Sequence, residues 1–125
     1  MPELTTTATE APSKALPPGT IIRCQHVRQG RKLGQARAVV LGRFGTGETA
    51  PYRVWFYTKG PARQGDDATV SLSFPHEITV RGPLADQSER ILRRIVRGSH
   101  QFADAAEVWQ QASILEVIKR AQRRG

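Results

Sequence analysis

Residues 52–59, YRVWFYTK, decide the fold. Aromatic and β-branched side chains dominate the segment, the composition of a pleated strand bounded here by Pro51 and Gly60. Alternation gives it two different faces: Tyr52, Val54 and Phe56 on one, and Arg53, Trp55, Tyr57 and Lys59 on the other. Working outward, a Gly45-Thr46-Gly47-Glu48 turn leads back to a Val- and Leu-rich strand over 35–44. A second turn over 29–34 leads back to a first strand over 20–28, TIIRCQHVR. Downstream, a loop over 60–67 precedes a strand over 68–74, where Val70, Leu72 and Phe74 alternate with Thr69, Ser71 and Ser73, and a short fifth strand over 77–81 follows Pro75. Short glycine-containing connections between successive strands predict an antiparallel meander. Five short, curved strands suit a small SH3-like or OB-like β-barrel or a curved sheet.

Beyond Pro83 the period changes. Asp86-Gln87-Ser88-Glu89 matches a capping box, and Gly98 matches a C-terminal cap, so a helix is predicted to about Arg97. Ile91, Leu92, Ile95 and Val96 form its apolar face, with Arg90, Arg93, Arg94 and Arg97 opposite. A second helix covers about 102–112, with Phe102, Ala105, Trp109 and Ala112 on one side. Ile114, Val117, Ile118 and Ala121 fall on the other side, which predicts a break near Ser113, the favoured reading, or else one long helix that contacts two different bodies. The expected class is α+β: a leader over 1–18 too poor in apolar residues to fold, a β unit over 19–83, and two or three helices over 84–125 packed on the sheet.

The 125 residues suit one domain. The distinctive total is charge, 19 Lys and Arg against 11 Asp and Glu, a formal +8. By segment the net is −1 over 1–19 (Lys14 against Glu3 and Glu10), +6 over 20–83 (ten basic, four acidic) and +3 over 84–125 (eight basic, five acidic). The excess therefore belongs to the folded part, where it favours phosphate backbones or acidic proteins. Fifteen Arg, four Lys and no Asn also match a GC-rich coding sequence, so the Arg-to-Lys ratio says nothing about phosphate recognition. One cysteine, Cys24, rules out an internal disulfide and fits a reducing, cytoplasmic setting. No apolar run reaches the length of a membrane span.

The interleaved rings and cations of 52–59 resemble a stacking surface for single strands, with Trp55 and Tyr57 as the stacking groups and Arg53 at the backbone. Burial of both rings beneath the helices is the competing expectation, since large aromatics more often pack. Arg28, Arg31, Lys32 and Arg37 cluster about the first turn, and Arg43 adds to the strand-borne excess. Arg90, Arg93, Arg94 and Arg97 form a helical stripe with no acid inside it, a self-repelling arrangement that an anionic partner relieves. A helix-turn-helix fails because Arg93, Arg94 and Arg97 occupy positions that need small or apolar residues. The glycines of 42–47 precede a strand, so they do not aim helix amides at phosphate. Cys24, His26, His76 and His100 lack paired zinc spacing, and no carboxylate pair or oriented nucleophile stands out. The expected function is non-enzymatic binding of DNA or RNA without cofactor or metal, through Arg28, Arg31, Lys32, Arg37, Arg43, Arg53, Arg90, Arg93, Arg94 and Arg97. The alternative is a protein-interaction module, such as a phage- or plasmid-encoded modulator that docks on an acidic host protein.

Overall fold

The computed structural model describes residues 15–28, 30–59, 70–99 and 105–124. Five antiparallel strands, β1 (Ile21–Arg28), β2 (Arg31–Arg43), β3 (Tyr52–Trp55), β4 (Val70–Ser73) and β5 (Thr79–Gly82), form one sheet of order β4-β3-β2-β1-β5. Two helices, α1 (Glu89–Ser99) and α2 (Ala106–Arg124), follow. The sheet is curved and is not closed: β4 and β5 are its two edges, so the expected barrel gives way to a curved α+β sheet. Its curl still brings β4 to β1, where the Ser73 hydroxyl donates to Cys24 Sγ at 3.2 Å.

Strand alternation splits the core in two. Ile21, Val39, Leu41, Trp55 and Tyr57 pack against Leu84, Leu92, Ile95, Val108 and Ala112 beneath the helices. Ile22, Cys24, Ala36, Ala38, Val40, Tyr52, Val54 and Phe56 fill the concave side with Ile78, and Leu16 packs against them. The last residues of the expected leader thus belong to the body: Leu16 N donates to the Tyr52 hydroxyl at 2.9 Å. Residues 1–14 of that leader, the whole 60–67 loop, the first two residues of the expected 68–74 strand, and Phe102 lie outside the described residues.

Several local expectations differ. The strand begun at Tyr52 ends at Trp55, and Tyr57–Lys59 turn as a 3-10 helix. In β4 the polar side faces in, since Ser73 is buried and bonded while Leu72 and Phe74 are each 46% exposed. Asp86 ends a 3-10 turn over Leu84–Asp86, and Ser88 caps α1, its Oγ accepting from Ile91 N at 3.3 Å. Gly98 does not end α1 but sits buried within it. α2 is continuous through Ser113, which overturns the expected break; Ile114, Val117 and Ile118 are simply left exposed. No helix of the described residues is long and apolar enough to cross a membrane.

Candidate polyanion-binding surface

The antiparallel register places Arg23 of β1 directly opposite Arg37 of β2. Period two puts them on the helix-bearing face, one step beyond the buried Ile21–Val39 pair. Both are exposed, and like charges at opposed sheet positions repel. Val39 is opposite Trp55, so Arg37 falls beside Tyr57, two residues beyond the end of β3. The Tyr57 phenol is fully buried; burial raises its pKa, against the opposing influence of the Arg37 and Arg94 charges. Its hydroxyl sits at the Arg37 guanidinium without a well-formed hydrogen bond.

α1 meets this row from above. Arg94 Nε donates to the Tyr57 carbonyl oxygen at 3.0 Å, which fixes the helix to the 3-10 turn and carries a third guanidinium to the same ring. Arg90 and Arg97, about one turn before and after Arg94, are exposed and make no hydrogen bond or ion pair with the described residues. A cavity of about 640 Å³ opens between this flank of α1 and the end of β3, walled by Arg90, Arg94 and Arg97 and floored by Trp55 and Tyr57.

Arg93 behaves differently from its neighbours in the stripe. It bonds Glu89 at 2.5 Å and Glu116 of α2 at 3.1 Å. Arg120 joins Glu116 at 2.9 Å, and Arg123 joins Glu89 at 2.8 Å. The Arg123 bond and the nearby Arg93 charge hold the Glu89 carboxyl below the ordinary range, while the Glu116 bond raises the Arg93 guanidinium. The stripe is therefore not free of acid as its sequence implied: Arg93 belongs to the seam between α1 and α2.

The remaining predicted residues do not gather in one place. Arg31 and Lys32 are exposed at the tip of the first hairpin, where Arg31 pairs in the ladder with Arg28. At ~3.3 Å per residue, Lys32 lies roughly 16 Å along β2 from Arg37, and Arg43 lies roughly 20 Å away in the other direction. Arg43 rests over the Tyr52 ring, 5.3 Å from its centroid. Arg53 pairs opposite Gly42, beyond Trp55 from the Arg37 row. Trp55 and Tyr57 are 1% and 0% exposed, packed edge to face at 6.2 Å, so neither presents a ring face for bases to stack on. Arg23 was missed as a site residue. Its position opposite Arg37 depends on the β1–β2 register, which the sequence of β1 alone does not reveal.

Among the described residues no group of three or more His, Cys, Asp or Glu side chains gathers as a metal site. What defines this protein is a curved five-stranded antiparallel sheet with two C-terminal helices on one face and arginines converging where α1 meets β2 and β3. The chain belongs to the family described as "Family of unknown function (DUF6409)", whose model matches residues 4–124. Neither a curated protein nor a solved structure matches it.

Proposed function

We propose that the protein binds nucleic acid without catalysing a reaction on it, holding phosphates with the arginines that converge from the sheet and from α1. The carrying observation is the opposed Arg23–Arg37 pair, which Arg94 joins at Tyr57. Side by side, three positive charges cost the free protein repulsion, and an anion spanning them relieves it. Arg90 and Arg97 extend the surface along α1, while Arg31 and Lys32 extend it toward the hairpin tip. Arg28 joins that tip by its place in the ladder. Arg43, Arg53 and Arg93 serve the fold in this reading. The order of the sheet, four consecutive strands in a meander with β5 returning to β1, supports an SH3-like or OB-like reading, and this likeness carries no function by itself.

A mobility-shift titration with duplex and single-stranded DNA and RNA at low salt tests the proposal. The parent protein shifts at least one of them, Arg23→Glu with Arg37→Glu abolishes the shift, and Arg43→Gln preserves it. No shift with any polynucleotide defeats the reading. A second reading, an interaction module for an acidic protein, is favoured by the exposed Ile114, Val117 and Ile118 on α2. It predicts that Ile114→Ser with Val117→Ser leaves nucleic-acid binding intact but abolishes capture of that protein.

A further inference from the structure

The cavity between α1 and the end of β3 is larger than a phosphate contact requires. Its ~640 Å³ falls within the ~300–1,000 Å³ typical of clefts for whole organic molecules. Its wall is also uneven in charge. Arg93 is committed to Glu89 and Glu116, and Arg94 has spent its Nε on the Tyr57 carbonyl, so Arg90, Arg97 and the remainder of Arg94 supply the open positive charge. Ile91 adds an accessible apolar side chain beside it, over the buried Trp55 and Tyr57. Gly98, in the last turn of α1, also lines the wall.

An internal phosphodiester brings one negative charge to such a wall. A phosphomonoester brings roughly −1.5 to −2 at pH 7 and three strong acceptor oxygens, the better match for guanidiniums from successive turns of one helix. We propose that this cavity takes an organic phosphomonoester, either the phosphorylated end of a nucleic-acid strand or a free nucleotide, with its phosphate at Arg90, Arg94 and Arg97 and its organic part beside Ile91. The strand-end source rests on the nucleic-acid reading above; the free-nucleotide source does not.

Two arms test it. In the first, anisotropy at about 150 mM salt compares a short single strand bearing a 5′-phosphate with the same strand bearing a 5′-hydroxyl. The phosphorylated strand binds roughly ten-fold tighter or more, as charge-assisted hydrogen bonds require. Arg90→Gln with Arg97→Gln, two exposed positions without structural partners among the described residues, brings the ratio near one. Arg31→Gln with Lys32→Gln at the hairpin tip weakens both strands and keeps the ratio. In the second arm, calorimetry compares a free nucleoside monophosphate with its nucleoside. Binding of the monophosphate alone, lost in the Arg90/Arg97 variant, supports the cavity even where neither strand binds, and then only the polynucleotide reading fails. Equal binding of both strands together with no preference for the monophosphate overturns the proposal, as does a phosphate preference that survives the loss of Arg90 and Arg97.

Discussion

Replacing Arg23 and Arg37 together with glutamine pulls binding and folding in opposite directions. The two side chains are exposed and directly opposed across β1 and β2, so their repulsion is a cost to the free protein. Cross-strand pairs contribute about 0.2–1 kcal/mol, and removing an unfavourable one raises stability by up to that amount, or roughly 1–5 °C in melting temperature for a domain of this size. Binding loses two phosphate contacts. If Arg23, Arg37, Arg90, Arg94 and Arg97 each neutralise one duplex phosphate, the log–log salt slope is about −4.5, and affinity falls about 500-fold between about 50 and 200 mM salt. With two contacts gone, the slope is about −2.7 and the same interval costs about 40-fold. Anisotropy with a labelled duplex at several salt concentrations reads the slope, and thermal denaturation of the same preparations reads stability. An unchanged slope removes the opposed pair from the interface. A loss of more than about 1 kcal/mol of stability would show that the pair supports the sheet instead of straining it.

Trp55→Ala costs about 3–5 kcal/mol in urea denaturation, because the indole is buried between β2 and the helices, and acrylamide quenches Trp109 in the parent while sparing Trp55. Glu89 has a depressed folded pKa, so its contribution is fully present above its unfolded value near 4.3 and is lost as pH falls through the lower folded value. Acid titration of stability is accordingly shallower for Glu89→Gln than for the parent. Gly19→Ala destabilises by about 1–3 kcal/mol in the same urea assay, since Gly19 holds φ +98° and an added Cβ would stand 3.0 Å from Leu84 Cδ1.

Most of the strand framework was legible because alternation and glycine turns are local signals. The segment over 52–59 shows where locality ends: its composition continues a strand through Tyr57, but the backbone turns after Trp55 so that Tyr57 lies over the Arg37 row and its carbonyl is available to Arg94. In β4, alternation was visible but its polarity was misleading, because the curl of the sheet offers Ser73 a buried partner in Cys24, 49 residues away. The break predicted at Ser113 assumed that exposed apolar residues must be covered within the chain. Helix continuity instead follows from Ala112, Leu115 and Glu116 continuing the inner face of α2 begun by Val108. At the candidate surface, the stripe over Arg90–Arg97 was visible at helical spacing. Its division into a paired Arg93 and an Arg90 and Arg97 without partners among the described residues was not, since that depends on which flank of α1 receives Glu116.

That division bears directly on whether the positive surface is merely a product of composition. An arginine-rich chain has cations everywhere, and carboxylates scattered among them would leave no field. Here Glu89 and Glu116 both turn into the α1–α2 seam, where two carboxylates take Arg93, Arg120 and Arg123. Arg120 and Arg123 of α2 are thereby held in the joint between the two helices, and Glu89 and Glu116 are engaged there with them. On the sheet the opposite happens: register brings Arg23 to Arg37 with no described carboxylate between them, and Arg94 is brought to the same ring by a backbone hydrogen bond. Codon usage can supply the arginines, but it cannot sort them into a neutralised seam and a rim that no described carboxylate pairs with. The sorting is a property of register and helix packing, and it is the physical ground for assigning the rim an anionic ligand.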